Sequence, residues 1–525
     1  MVSSRATQTA THDLAKGRTA AYWIAFLSLC HVAAWPIESR AQKWEFSPAL
    51  DTNVLYTNNS TIGTTNTPEK DTIVSLRPSL RILGVGARTT VEGDLAVQAR
   101  EYVKGTVKDQ VYPRGRLAVK TNLVDQWFYV EGSVVAQQTG ADPFSLQGRL
   151  TSSIEDLTSY QYRVSPYLSH QLATGVSLLA RSDNLWTRRS GDAALGLTRR
   201  DSVVQQNLVK LERQPTPLGA SVEISSQRSK YPDSEESVLD LDAVRAVATY
   251  AAGAEVVLGV STGRERSRFS FNGKSDALYG GSVEWRPSER TALFARVEHR
   301  FFGVGATAQV SHRSPFLALT LRFDREPIAE PSPLLLGPEN GDVATLLNAA
   351  FTTRYPDPIQ RDVIVRNFIS SQGLPAVLPG PLDVFPDYVQ LRNRLSLNAA
   401  LLGRTTSVAF GLYGVKAIRL VREGGPYLPL PTDASDYREH GLTVDVNRRI
   451  SPETTLTAIL LKTRIDGLGP RAGDTSTETS MVLGVNHSLS PRTVISAGAR
   501  RRLFSSNVNL PSQESAGFVG TNYRF

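Results

Sequence analysis

The chain has 525 residues, with 58 Lys and Arg against 50 Asp and Glu, for a formal net charge of +8. That charge is spread along the sequence without a basic block of the kind that grips nucleic acid, so nucleic acid is excluded as a partner. The one cysteine, Cys30, lies in the N-terminal segment and leaves the rest of the chain without disulfide or thiolate-metal chemistry.

The segment 1–41 reads as a signal peptide. Arg5, Lys16 and Arg18 precede the apolar run Ala20–Ala34, and Ser39-Arg40-Ala41 supplies the small residues of a cleavage site near Ala41. No other stretch approaches the ~20 apolar residues that a membrane helix needs. If the mature chain enters a membrane, it does so as strands.

From Trp44 onward the sequence is a series of short runs with period-two alternation. In Asp71–Ile82, Val74, Leu76, Leu80 and Ile82 oppose Ser75, Arg77, Ser79 and Arg81. In Thr89–Arg100, Val91, Leu95 and Val97 oppose Glu92, Asp94, Gln98 and Arg100. The pattern returns in Leu218–Gln227, where Val222 and Ile224 oppose Glu223, and in Arg290–Arg300, where Leu293 and Val297 oppose Arg296, Glu298 and Arg300. A soluble sandwich also alternates. The connections separate the two, because those after even-numbered strands are tight, as in Arg286-Pro287-Ser288-Glu289, Ser451-Pro452-Glu453-Thr454 and Ser490-Pro491-Arg492-Thr493. Those after odd-numbered strands are mostly long. Short turns on one side and long loops on the other are the layout of an outer-membrane barrel.

One connection, Glu326–Gln390, breaks this scale. It opens on a proline-rich run and then shows helical spacing over Asp342–Thr352 and Asp357–Ser371, where Ile359, Val363, Ile364 and Phe368 form the expected apolar face. It is expected to fold into the lumen as a partial plug, with packing on the rim as the alternative. The chain then closes on Tyr523 and Phe525, an ending that looks like the assembly signal of outer-membrane barrels. The predicted fold is all-β: an antiparallel transmembrane β-barrel over 42–525 of about 22 strands, within roughly 18–24, carrying one helical insert over 326–390.

The sequence offers little reactive chemistry. The mature histidines, His170, His299, His312, His440 and His487, form no ligand spacing, and no nucleophile elbow or phosphate loop is present, so no metal site, cofactor or catalytic residue is expected. Parity instead predicts a lumen rich in charge: Arg77, Arg81, Arg100, Arg114, Arg116, Lys120, Arg296, Arg300, Arg322, Arg392 and Arg394, among carboxylates such as Asp51, Glu92, Asp94, Glu131, Glu223, Glu298, Asp324 and Asp445. Most of these are expected to brace the wall as cross-strand pairs. Arg296, Arg300, Arg322, Arg392 and Arg394 flank the insert in sequence and are the preferred residues to contact a glycan in the lumen.

Three stretches resemble one family, the outer-membrane β-barrels associated with PEP-CTERM/exosortase and exopolysaccharide gene clusters. They are the opening WEFSPALDTNVLYTNN (Trp44–Asn59), the stretch Trp285–Pro315 with its Pro-Ser-x-Arg-Thr turn and Ser-His-Arg, and the insert Phe351–Pro375 with Tyr355-Pro356-Asp357-Pro358. The resemblance implies a conduit or assembly factor for exopolysaccharide export, not an enzyme. Its partners would be outer-membrane lipid, the barrel assembly machinery, polysaccharide and periplasmic export proteins. A general diffusion porin and a non-transporting scaffold are the alternatives. An energy-coupled transporter would carry a large plug before the first strand, and with that strand starting near Trp44 this reading is set aside.

Overall fold

The computed structural model describes residues 43–62, 67–139, 157–190, 201–231, 234–269, 272–328, 343–352, 354–372, 389–420 and 436–525, with Phe144, Leu378 and Gly380 between them. The expected signal peptide lies outside these residues.

The strands run in order: β1 (Lys43–Thr57), β2 (Asp71–Val85), β3 (Thr89–Tyr102), β4 (Gln110–Val124), β5 (Phe128–Thr139), β6 (Leu157–Ala173) and β7 (Val176–Ser190). Then come β8 (Ser202–Arg213), β9 (Leu218–Tyr231), β10 (Ser234–Ala251), β11 (Val256–Phe269), β12 (Asn272–Ser288), β13 (Thr291–Arg300), β14 (Gly303–Arg313) and β15 (Leu317–Ile328). After two helices, α1 (Val343–Phe351) and α2 (Pro358–Gln372), the wall resumes with β16 (Gln390–Leu402), β17 (Thr406–Arg419), β18 (Asp436–Arg449), β19 (Thr454–Leu468), β20 (Thr475–Ser490), β21 (Thr493–Ser506) and β22 (Ser512–Arg524).

Each strand pairs antiparallel with its neighbours in sequence, and β1 closes on β22, from Ala49 opposite Arg524 to Thr57 opposite Ala516. The 22-stranded sheet is therefore a closed barrel. Closure is what hydrocarbon demands, since an open edge would leave a row of unpaired N–H and C=O groups there. The barrel lies in the outer membrane, in contact with lipid.

The side chains sort as the alternation predicts. Arg245 pairs with both Glu223 and Glu298 at 2.8 Å, which puts these three charges on one face. Val222, Ile224 and Val297, between and beside them in sequence, are exposed on the other. Slipping the register by one residue would exchange the two sets and put charge in lipid. Gly280 helps Arg245 reach across from β10 to β13, because a Cβ there would stand 2.7 Å from Glu298 Cγ.

The tight turns share one device. Ser288, Ser314, Ser451 and Ser490 each begin a turn, and each Oγ accepts backbone N–H groups two or three residues on: Arg290 at 3.3 Å, Leu317 at 3.1 Å, Thr454 at 3.0 Å and Arg492 at 3.2 Å. These local bonds hold the hairpins closed at the periplasmic end. On the outer side the connections after β9, β11 and β13 are tight as well, while 58–70, 140–156, 191–201, 329–389 and 420–435 are long.

An aromatic belt marks the periplasmic interface. Trp44 stacks on Phe46 at 5.8 Å, Trp127 on His170 at 3.6 Å, and Tyr523 meets Phe525 edge-on at 5.0 Å. The Trp44 ring lies over Gly84, where any Cβ would meet it at 2.6 Å.

Candidate functional site

The lumen and its insert form the candidate site. The insert leaves the outer rim at the end of β15 and returns there at β16, yet α1 packs near the opposite, periplasmic end. Ala318, Ala400, Leu402 and Ala409 lie close to the short turns of β15, β16 and β17, and Val343, Leu346, Leu347 and Ala350 of α1 are buried against them. Small residues allow this approach by keeping the inner wall flat; Leu378 rests on the same patch, 3.5 Å from the position of a Cβ on Gly411. The helices thus bury their apolar side on the lumen wall.

α2 follows the face its spacing suggests at Phe368 but not at Val363. Val365 is fully buried, with Phe368 and Ile369 packed beside it, whereas Val363 is exposed and the side chain of Ile359 lies outside the described residues. The face is chosen by the partner helix: Phe351 of α1 meets Phe368 edge-on at 5.6 Å. Arg361 ties the pair together, donating to Asn348 Oδ1 at 3.3 Å and to the carbonyls of Tyr355 and Pro356 at 2.9 and 3.1 Å.

From this seat α2 reaches toward a second part of the wall. The Asp362 carboxyl lies in the field of Glu92 and Asp94 on β3 and Arg81 on β2. Burial raises its pKa above the ordinary carboxylate value, and Glu92 and Asp94 add to the rise, against the pull of Arg81 and of a hydrogen bond with Asn348. The insert is thus seated on β15, β16 and β18, with Asp362 within the field of the charges on β2 and β3. A cavity of about 330 Å³ remains beside α1, lined by Arg286, Ser311, Thr320, Thr345 and Ala349. At the outer mouth, Phe144, from the connection between β5 and β6, is fully buried among Val415, Ala417, Tyr437 and Ile465 of β17–β19. Arg471 lies 4.0 Å over its ring, and Asn509 donates to its carbonyl at 2.9 Å.

The arginines preferred on the sequence all sit on the inner face, and most are engaged in bracing it. Arg300 pairs with Glu265 at 2.7 Å, Arg322 with Asp324 at 2.6 Å and Arg392 with Glu326 at 3.8 Å. Arg394 is buried opposite Asp324, and Arg296 lies over the Phe294 ring at 5.5 Å. Similar networks line other sectors: Arg181 joins Glu131 and Asp183 at 2.9 Å each, and Arg500 meets Glu514 at 2.6 Å. Proximity to the insert in sequence does not identify free guanidinium groups. Arg81, Arg114 and Arg116, on β2 and β4, form no ion pair or hydrogen bond among the described residues, and Arg114 and Arg116 are exposed to the lumen. Parity places them there, but only the three-dimensional pairing shows which arginines have carboxylates.

Four of the five histidines serve the wall. His170 stacks in the belt, His299 stacks on Tyr279 at 5.0 Å, and the Nδ1 atoms of His312 and His487 lie 2.8 and 2.9 Å from the hydroxyls of Thr291 and Thr454. Among the described residues no group of three or more potential ligands gathers for a metal.

No family model matches the sequence, and no curated protein matches it. Solved structures do match. The siderophore receptor PirA from Pseudomonas aeruginosa is 10% identical, with 92% of this chain and 80% of that chain covered at a TM-score of 0.40. The FrpB iron transporter from Neisseria meningitidis is 10% identical over 93% and 83%, with a TM-score of 0.46. The ferric-catecholate import receptor Fiu from E. coli K12 is 9% identical over 92% and 82%, with a TM-score of 0.45. The likeness is one of fold.

These matches correct two expectations. The neighbours are named as receptors and transporters for siderophores and iron, so exopolysaccharide export, with its polysaccharide and export-protein partners, is set aside. Of the stretches that carry the resemblance, Trp285–Pro315 spans β13, β14 and their Ser288 and Ser314 turns, Trp44–Asn59 spans β1, and the described part of Phe351–Pro375 holds α2. The general diffusion porin is not favoured either, since α1 and α2 are seated on the inner wall.

Proposed function

We propose that this protein is an outer-membrane passage for a polar solute arriving from outside, held closed by its own helical insert. The seat of α1 on Ala318, Ala400 and Ala409 carries this reading, since a rim decoration has no reason to place its apolar face at the far end of the lumen. α1 sits at the periplasmic end, so the strands of the outer half of the wall lie between it and the outside. A leader cut near Ala41 and a terminal Tyr523/Phe525 signal read by the barrel assembly machinery complete the proposal. The likeness to PEP-CTERM-associated barrels is retained as a proposal of kinship in wall architecture alone.

The test is to replace Pro331–Pro386 with a short Gly/Ser linker. The closed ladder does not depend on this segment, so the barrel should still fold, and single-channel conductance in a planar bilayer should rise. An inserted variant with unchanged conductance would remove the gating role.

A further inference from the structure

We infer that the inner face of β2–β4 is a binding wall for a small solute carrying two or more phosphate or carboxylate groups, with Arg114 and Arg116 as its central contacts and Arg81 and Arg100 at its ends. The inference deepens the passage reading above by naming the class of solute.

The register sets the geometry. Arg116 faces Asp94, which faces Arg81; one step toward the outer rim, Arg114 faces Ala96, which faces Ser79; above them Arg100 lies between Ser75 and Gln110. The residues that carry the guanidinium groups therefore descend the wall as a ladder from the outer side to the level of Asp94. Arg114 and Arg116 stand about 7 Å apart along one strand, and Arg81 about 10 Å from Arg116 across two strand spacings. These separations suit a solute with two or three anionic groups rather than a single carboxylate.

Part of the wall's positive charge is left without an ion pair. Arg77 is taken by Asp51 at 2.8 Å and Lys120 by Glu131 at 3.5 Å, while Arg81, Arg114 and Arg116 have no carboxylate at ion-pair distance among the described residues. The next strand, β5, brings only the neutral Ser133, Val135 and Gln137 to this level of the inner face. Arg100 is steadied over the Tyr112 ring at 5.7 Å. Elsewhere the lumen gives its arginines carboxylates, as for Arg300 and Arg322. Asp94 stands in register between Arg81 and Arg116 without forming an ion pair with either, and Arg114 faces only Ala96, so the basic groups outnumber the acidic ones on this face and an anion would relieve their repulsion. Planar guanidinium forks bind phosphate or carboxylate oxygens bidentately, and the low-dielectric wall around the lumen focuses their field on an approaching anion.

Equilibrium dialysis on the full-length protein in detergent, with tripolyphosphate in one arm and citrate in the other, tests the inference and separates phosphate from carboxylate as the preferred group. Saturable binding of at least one probe is expected, weakening with salt as screening sets in. The double variant Arg114→Gln/Arg116→Gln should lose tenfold or more in affinity, Arg114→Lys/Arg116→Lys should recover part of it, and Arg322→Gln should bind as the wild type does. Recovery by lysine shows that the glutamine variant failed through charge and not through misfolding. Absence of binding by both probes, or equal binding by the glutamine variant, overturns the inference. The gate is tested separately by conductance: lost binding with unchanged conductance on excising the insert would leave the wall standing and the gate refuted, and the reverse result would do the opposite.

Discussion

The closed state should depend on one helix face, and Leu347→Ala measures it. Leu347 is fully buried between α1 and the wall residues Ala318, Ala400 and Ala409. Truncating a buried leucine costs about 2–5 kcal/mol, with the larger values where neighbours cannot collapse into the space. Here the wall side cannot move, because β15, β16 and β17 are locked into the ladder and already carry alanine. A loss of about 3 kcal/mol is therefore expected, and it falls on docking of the insert rather than on the barrel. At about 1.4 kcal/mol per factor of ten, this shifts the docked-to-released equilibrium by roughly 100-fold. An insert released ~0.1% of the time would then be released ~10% of the time by the same arithmetic. Two readouts see this: the open probability of single channels in a planar bilayer, and the rate of tryptic cleavage at Arg361, which is partly buried in the seated insert. Ile224→Ala on the lipid face serves as the control for a general loss of packing. Unchanged open probability and unchanged cleavage in Leu347→Ala would refute the argument that α1 holds the insert by apolar burial.

Two further outcomes follow from the structure. Asp362 has a pKa raised by burial and by Glu92 and Asp94, so its protonated form favours the seated helix; that contribution is complete below the ordinary carboxylate pKa of about 4 and is lost as pH rises through the raised value. Open probability should accordingly fall on acidification, and Asp362→Asn should keep the insert seated at neutral pH with a flat profile; a variant that still tracks pH would assign the effect to other groups. Deleting Phe525 should reduce the amount of protein in the outer membrane and leave unassembled chain in the periplasm, because its edge-on contact with Tyr523 and the hydrogen bond from its N–H to the Pro48 carbonyl at 3.1 Å form only a small part of the β1–β22 closure. Normal levels of the deleted form, measured by fractionation and immunoblotting, would remove the assembly role.

Much of the wall is legible in the sequence because its code is local. The period of two in Leu218–Gln227 and Arg290–Arg300 is enough to put Val222, Ile224 and Val297 in lipid and Glu223 and Glu298 in the lumen, and the Ser-Pro turns mark the periplasmic end. Helical spacing after Asp342 and Asp357 likewise announces α1 and α2. What the sequence leaves open is everything that depends on which strands and helices meet. Parity places Arg114 and Arg322 on the same inner face, but whether a carboxylate stands beside each is settled by register: Arg322 has Asp324, and Arg114 has Ala96 and Tyr112 for company. The buried side of α2 is fixed by Phe351, not by its own periodicity alone, which is why Val365 is inside and Val363 is not. Phe144 finds its seat twelve strands away on β17 only once the barrel has closed. Side-chain alternation is a property of each strand alone, whereas pairing, burial and the charge left uncompensated on β2–β4 are properties of the closed ladder, and they exist only when it forms.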